Sequence, residues 1–401
     1  MTEGGRPWLN RNTVGIGLAS LFSDISHELA TAVLPAVLLS LGAGPAALGL
    51  IEGSADGLSA IAKLWGGVLA DRLPRRKPLA SAGYLVTAAG TAAIGLCVTW
   101  WQVLACRAAA WIGRGSRSAS RDALLSEASP RGSQGRAFGL ERAGDAAGAV
   151  IGPALGMVLL ARGVAPRTLM FVSLLPGMLA FLSILVLVRE RRRAPRPSAL
   201  PLLQSLGSMG APFRRYLAGI LLFGSGDFSR TLLILYVTQH MAGSLFAWRG
   251  ASAAVALYVL HNAVSASAAL PIGAIADRVG HRRVIVAGYA FAAATTLGFA
   301  LAPPTAGWML ILFVSSGLYI ACEEVAEKSY AATLLPNDRL GLGMGLLAAT
   351  NGIGDMISSA LVGALWTLFP PTVGFACAAL LQGVGAAVVA RTPSPHDHAG
   401  R

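Results

Sequence analysis

Apolar blocks of about 20 residues, the length that crosses a hydrocarbon core as one helix, fill this chain almost from end to end. Lipid offers backbone groups no hydrogen bonds, so every crossing must be a helix or part of a closed barrel. The blocks lack the two-residue alternation of barrel strands, which leaves helices. Composition points the same way: 54% of residues are hydrophobic and only 13% charged, whereas soluble domains run at about 25% charged. The 48 glycines suit bilayer helices, which associate through small residues.

The pattern predicts twelve helices. Six lie near 13–38, 46–70, 78–99, 102–127, 137–160 and 168–188, and six near 214–237, 249–272, 282–301, 307–334, 341–366 and 372–391. The expected organisation is an N-terminal lobe over 1–188, a basic linker over 189–213, a C-terminal lobe over 214–391 and a disordered tail over 392–401. Polar Asn10-Arg11-Asn12 leads into a block containing Asp24, His27 and Glu28, unlike a signal-peptide core, so this block is read as a retained first helix.

The net charge of +13 comes from short loops on alternate sides of the blocks. That distribution is the positive-inside pattern and argues against nucleic-acid binding. Arg72 to Lys77, Arg131 with Arg136, the Arg189–Pro197 connector and Arg278 to Arg283 place those loops in the cytoplasm. The opposite-side loops near 38–46, 100 and 302–306 lack Lys and Arg; only Arg162, Arg167 and Arg249 dissent. An even helix count puts both termini inside. Trp100, Trp101, Trp248 and Trp308 fall at expected outer ends, as an interfacial belt would.

A duplicated loop divides the chain in two. Gly67-Val-Leu-Ala-Asp71-Arg72-Leu-Pro-Arg75-Arg76-Lys77 returns as Gly273-Ala-Ile-Ala-Asp277-Arg278-Val-Gly280-His281-Arg282-Arg283, with an offset of 206 (277 minus 71). Pro130 and Pro336 keep the same offset (336 minus 130). This repeat resembles the signature loop of the major facilitator superfamily. The resemblance implies two six-helix lobes related by an axis along the membrane normal, with substrate bound between them near mid-membrane.

In that loop, small Gly67 and Gly273 are expected to allow close helix contact one turn before Asp71 and Asp277. Each Asp is expected to meet a neighbouring helix N-terminus or an arginine as a gate. Arg72, Arg75, Arg76, Arg278 and Arg282 either share that role or simply hold the loop inside. Pro74 stands where the family usually has glycine, while the second copy keeps Gly280. In the fifth block Gly139, Gly148, Gly152-Pro153 and Gly156 resemble the superfamily's antiporter signature, chiefly that of drug–proton exporters; Met157 departs from it, and Ser358-Ser359 replaces Gly152-Pro153 in the second half. Ordinary glycine packing, with a proline bend, would read the same way.

Intramembrane charges cost roughly 2.5–3.5 kcal/mol each at a helix centre and so mark function by default. Asp24 and Glu28 share a helix face beside His27, and Glu52 and Asp56 are likewise four apart, followed by Lys63. Arg107, Arg114, Arg117 and Arg121 form a stripe, with Arg107, Gly113 and Gly115 resembling the family's fourth-helix arginine motif. Glu141, Arg142 and Asp145 occupy one turn, and Asp227, Glu323, Glu324, Glu327 and Lys328 stand out in the second half. Competition between proton and substrate for a carboxylate in low dielectric is a physical basis for exchange. Asp24 or Glu28 is therefore read as the proton carrier, with Arg107 or Arg117 as its charge partner; a static charge network is the alternative. The repeat offset maps Glu323 and Glu327 onto Arg117 and Arg121, as if paired across the lobes.

Cys97, Cys106, Cys322 and Cys377 show no paired spacing and read as packing residues. The Gly341-x-Gly343-x-Gly345 run follows no strand, and packing explains it better than nucleotide binding. His240, His261 and the tail's His396-Asp397-His398 are not read as ligands, and no cofactor or metal is implied. The chain is thus expected to be a monomeric secondary transporter of the bacterial inner membrane, exporting small organic molecules against protons by alternating access. The alternative within transport is an organic anion, such as an organophosphate or siderophore, moving inward through the arginine stripe. A polytopic membrane enzyme would need a nucleophile–base pair or metal cluster, and no such spacing is present.

Overall fold

The computed structural model describes residues 8–129, 133–190, 192, 209–240, 250–335 and 340–392. Among these residues the regular elements are all helical. They are α1 (Arg11–Ser40), α2 (Pro45–Arg72), α3 (Lys77–Ala93), α4 (Trp100–Ala128), α5 (Gln134–Ala161), α6 (Pro166–Val172) and α7 (Leu174–Leu182). There follow α8 (Ala211–Gly224), α9 (Arg230–His240), α10 (Gly250–Val279), α11 (His281–Leu301), α12 (Ala306–Leu334), α13 (Leu340–Leu368) and α14 (Pro371–Ala390). With α6 and α7 counted as one stretch, and α8 and α9 as another, they are the twelve spans of an all-α integral membrane protein. Pro130, Arg131, Pro336, Trp248, Arg249, the connector beyond Arg192 and the tail from Pro393 lie outside the described residues, as does the Asp71 side chain.

Two compact units result: Met1–Gly42 with Leu58–Ala199, and Ala43–Gly57 with Leu200–Arg401. The first part of α2 therefore belongs to the second unit, and the rest of the helix to the first.

The sixth and seventh spans are not the single helices expected from hydrophobic pattern. Pro176 removes the backbone bond to Val172, and the sixth span turns at Ser173. Ser173 is fully buried, and its carbonyl accepts the Ser26 hydroxyl at 2.7 Å. The seventh stops at Gly224 and resumes at Arg230. The intervening Ser225-Gly226-Asp227-Phe228-Ser229 is rich in residues that favour turns over helix.

In the first unit, α5 lies against α1 through a ladder of glycines at four-residue spacing. A methyl group on Gly144, Gly148 or Gly152 would come within 2.7 Å of the carbonyl oxygens of Gly17, Leu21 and Ile25 respectively. Gly156 continues the face against Leu29. Gly139, the first position of the antiporter-like signature, has nothing within 4 Å of such a methyl and takes no part. The second unit buries an aromatic core in which Phe223 stacks on Tyr289 at 3.5 Å, beside Tyr216, Phe213 and Tyr330.

The four cysteines are free thiols, and two of them lie side by side. Cys97 follows the short 3-10 turn after α3, Cys106 lies in the second turn of α4, and their thiols are 3.8 Å apart. The hairpin brings together two residues nine apart in sequence.

Candidate functional site

The first unit concentrates charge where α1 faces α4. Asp24 and His27 are buried on α1; Arg107 and Arg117 are buried on α4. Arg114 Nη2 pairs with Asp24 Oδ1 at 3.2 Å. The partners expected for Asp24 turn elsewhere. Arg107 donates to Thr31 Oγ1 at 3.1 Å with its guanidinium 3.6 Å from the Trp111 ring centre. Arg117 donates to Ser23 Oγ at 2.6 Å and lies 3.7 Å from the Tyr84 ring centre. Arg121 Nη1 pairs with Glu141 Oε1 at 2.7 Å, and the Ser20 hydroxyl donates to the same carboxylate at 3.0 Å. The four arginines thus meet Thr31, Asp24, Ser23 and Ser20 in descending order along antiparallel helices, a rung-by-rung match. Arg114 and Arg121 thereby gain carboxylate counter-charges, while Arg107 and Arg117 meet hydroxyls and aromatic faces.

The remaining candidates of this unit fall around that ladder. Glu28 is 3.6 Å from His27 Nε2, and His27 meets the Trp111 ring edge-on. Asp145 lies near enough to Asp24 and Arg114 to act on both electrostatically. Arg142 is on the exposed face of α5 and Lys63 on that of α2. Gly148 is the reason Asp24 can approach α5: a methyl there would sit 2.8 Å from Asp24 Cβ.

The second unit builds its charged centre on the interrupted span. Asp227 lies in the break, and its Oδ2 accepts both terminal nitrogens of Arg230 at 3.1 Å. Tyr319 donates to Asp227 Oδ1 at 3.4 Å. The break exposes backbone groups that side chains satisfy: Ser358 donates to the Asp227 carbonyl at 2.9 Å, and Gln382 to that of Gly226 at 3.1 Å. Non-helical backbone at membrane depth is tolerated when it is satisfied within protein in this way. The Ser229 hydroxyl donates to Glu52 Oε2 at 3.1 Å. Glu327 is buried and accepts hydrogen bonds from Tyr289, at very short range, and from Asn351 Nδ2 at 2.6 Å. Glu323 lies close enough to Asp227, Glu327, Arg230 and Asp355 to interact with each. Asp56 acts electrostatically on Asp355.

The expected pairing of Arg121 with Glu327 meets a plain geometric fact: each has its partners inside its own unit. Glu324 and Lys328 are exposed. His261 Nδ1 is 2.6 Å from Ser316 Oγ and His240 Nδ1 is 2.9 Å from the Tyr236 carbonyl, the structural roles anticipated for them.

The two signature loops differ. Gly280 has φ +104°, a conformation open to glycine, whereas Pro74 at the equivalent site is held near φ −65°. Gly67 and Gly273 are not points of closest helix approach: a methyl on them would meet Ala119 Cβ at 3.7 Å and Val325 Cγ1 at 3.5 Å, ordinary contacts. In the first loop Arg76 pairs with Glu127, while the Glu190 carboxylate accepts the Arg76 and Lys77 amides at the start of α3. Arg72 and Arg75 are exposed. In the second loop Asp277 is 77% exposed and 3.8 Å from His281 Nε2, Arg278 is exposed, and Arg282 donates to the Thr392 carbonyl at 2.9 Å.

Arg230, Tyr84, Trp111, Tyr289, Tyr319 and Asn351 complete these centres and were not among the candidates read from sequence, while Arg114 was read as a member of the fourth-helix stripe and not as the partner of Asp24. Arg230 lay three residues from Asp227, a spacing that signals an ion pair on one helical turn. The neutral aromatic and amide partners carried no comparable signal.

Helical spans that bury ion pairs in both halves carry ionisable groups at membrane depth, the kind of residue that marks transport pathways. The chain belongs to the Major Facilitator Superfamily, whose sequence profile matches residues 16–322 and 216–401. It is 26% identical over 371 residues to an uncharacterized MFS-type transporter of Methanocaldococcus jannaschii, covering 90% of each chain. It is 28% identical over 287 residues to the multidrug resistance protein MdtG of Dickeya zeae, covering 69% of each. Among solved structures, a POT family transporter bound to a thioalcohol-conjugated peptide matches with TM-score 0.79 at 14% identity, over 94% of this chain and 95% of that one. A bacterial homolog of the human lysosomal transporter Spinster matches with TM-score 0.77 at 15% identity, over 97% and 98%.

Proposed function

We propose that this protein exports small organic molecules in exchange for protons, by alternating access. The observation that carries the reading is the buried ion pair of Asp24 with Arg114. The Asp24 side chain is 12% exposed and that of Arg114 is 29% exposed. A cationic group of the substrate takes the place of Arg114 against the ionised Asp24; protonation of Asp24 removes the negative charge that holds this group and expels it, and loss of the proton restores the site. Proton and substrate then compete for one site, which is the requirement for exchange. Glu28, Glu141, Asp145, Asp227, Glu52 and Asp56 serve as the surrounding charge network, and the loops bearing Asp71 and Asp277 as the gate. The relationship to a multidrug resistance protein supports outward movement. On this reading the protein is a monomer of a bacterial inner membrane with both termini cytoplasmic, an orientation that the basic loops support.

The test uses proteoliposomes with an internal pH dye, an imposed proton gradient and a panel of cationic, neutral and anionic compounds. Compound-triggered proton movement is expected, and is expected to vanish in the Asp24→Asn/Glu28→Gln double variant. Coupled transport that survives the double change removes Asp24 and Glu28 from the mechanism.

A second reading, transport of an organic anion, is favoured by one observation. Among the described residues, the groups in direct contact with the buried Arg117 guanidinium are the neutral Ser23 hydroxyl and Tyr84 ring. Transport of anionic members of the panel, lost in Arg117→Gln while proton movement with other compounds persists, would decide for it.

A further inference from the structure

Cys97 and Cys106 belong to neither charged centre, yet the hairpin between α3 and α4 holds their thiols 3.8 Å apart, in contact. Cys97 is buried, with its thiol 3.5 Å from the Ala93 carbonyl, while Cys106 is partly exposed. The two helices are tightly packed here: a methyl on Gly90 of α3 would come within 3.0 Å of the Cys106 carbonyl oxygen. A disulfide holds its sulfurs about 2.0 Å apart, so thiols already in contact at 3.8 Å have little distance to close. Small rotations of the two side chains would bring the sulfurs to bonding distance.

Position in the membrane adds a second argument. The span that begins at Lys77 in the basic loop runs 20 residues to Leu96. At 1.5 Å per residue that is about 30 Å, one hydrocarbon thickness. The thiols therefore sit at the membrane face opposite the basic loop, among exposed Leu96, Val98 and Trp101. Basic loops mark the cytoplasmic side, so the opposite face is the oxidising one, where disulfides persist.

We propose that Cys97 and Cys106 form an intramolecular disulfide that clamps α3 to α4 at the outer face. The clamp lies one residue before Arg107, the first rung of the arginine ladder, and fixes the helix that carries all four arginines. It forms by exchange with a small or protein disulfide. The more accessible Cys106 thiolate attacks one sulfur of that disulfide, making a mixed disulfide and expelling a thiolate that takes up the proton Cys106 lost. The Cys97 thiolate then attacks Cys106 Sγ, forming the clamp and expelling the second thiolate, again with one proton. Two protein thiols are oxidised, and one external disulfide is reduced to two thiols.

The experiment treats the purified full-length protein with oxidised glutathione, denatures it, alkylates free thiols and counts them by mass. Four thiols are expected after reduction and two after oxidation, the survivors being Cys322 and Cys377. Trp100 and Trp101 separate the pair, so chymotrypsin should yield two peptides joined only until a reductant is added. In Cys97→Ser the resolving thiol is gone, and a glutathione adduct should accumulate on Cys106. Four alkylated thiols after oxidation would overturn the proposal, as would a disulfide-linked dimer in place of the internal bond. The count is made on the wild-type chain and is independent of what the protein transports.

Discussion

Two glycines of one signature should respond in opposite directions to the same substitution. In Gly148→Ala the new methyl would lie 2.7 Å from the Leu21 carbonyl oxygen and 2.8 Å from Asp24 Cβ. Carbon pairs sit best at about 3.5–4.0 Å, so α5 must retreat from α1 by roughly 0.7 Å or the backbone must distort. Overpacking of this kind costs about 1–3 kcal/mol. In Gly139→Ala the methyl meets nothing within 4 Å, in the same helix. There the change should stabilise by about 0.5–1 kcal/mol, because glycine is the more flexible residue in the unfolded chain. The variants should therefore differ by about 1.5 kcal/mol or more, which at roughly 2–4 °C per kcal/mol is about 3–6 °C in midpoint. Gly144→Ala, outside the signature but 2.7 Å from the Gly17 carbonyl oxygen, should behave like Gly148→Ala. Thermal unfolding followed by tryptophan fluorescence in detergent measures all three. Equal loss at Gly139 and Gly148, or a neutral Gly144→Ala, would refute a steric origin for the motif.

Three further outcomes follow from the same packing and pairing. Asp24→Asn leaves Arg114 without its counter-charge and should cost about 1.5–3 kcal/mol, much of it recovered when Arg114→Gln is added; a double variant no more stable than the single would argue against the pair, again by thermal unfolding. Gly226→Ala places a methyl on the Ala378 carbonyl oxygen at the break in the seventh span, and should cost about 3 kcal/mol or prevent accumulation in the membrane, which detergent-extract chromatography would show. Glu190→Gln removes a negative charge from the start of α3 and should cost about 0.3–1 kcal/mol, more at low salt than at high; a loss independent of salt would point to the hydrogen bonds alone.

The fold was legible because lipid leaves the backbone so few choices. Block length alone placed α1 and α12 to within about two residues of their observed ends, and loop charge with the 206-residue offset exposed the duplication. The seventh span shows where that reasoning stopped. Hydropathy averages over a window, so it ran straight through Ser225 to Ser229, although Gly226 and Asp227 are poor residues for the middle of a helix. What permits the break is the supply of partners from Ser358, Ser359 and Gln382, which are more than 120 residues away in sequence (358 minus 229 is 129).

The charged centres were legible as membership and not as pairing. Helical period puts Arg107, Arg114, Arg117 and Arg121 on one side of α4 and Asp24 on α1, but which arginine meets Asp24 depends on how far one helix is displaced along the other. That displacement is set by packing elsewhere, including the glycine ladder that seats α1 on α5. A shift of one turn would offer Asp24 to Arg117 and leave Arg114 to Thr31 or His27. The opposite charges at repeat-equivalent positions each have partners within their own unit. Glu327 is met by Tyr289 and Asn351, and Arg121 by Glu141 and Ser20, because a buried charge takes whichever donor or acceptor its own packed helices present. The difference has a consequence for mechanism. Asp24 must lose a cation when it is protonated, whereas Glu327 is held by neutral donors and loses none. On the exchange mechanism proposed above, proton uptake at Asp24 would release a cation carried on α4, whereas uptake at Glu327 would leave its Tyr289 and Asn351 partners neutral.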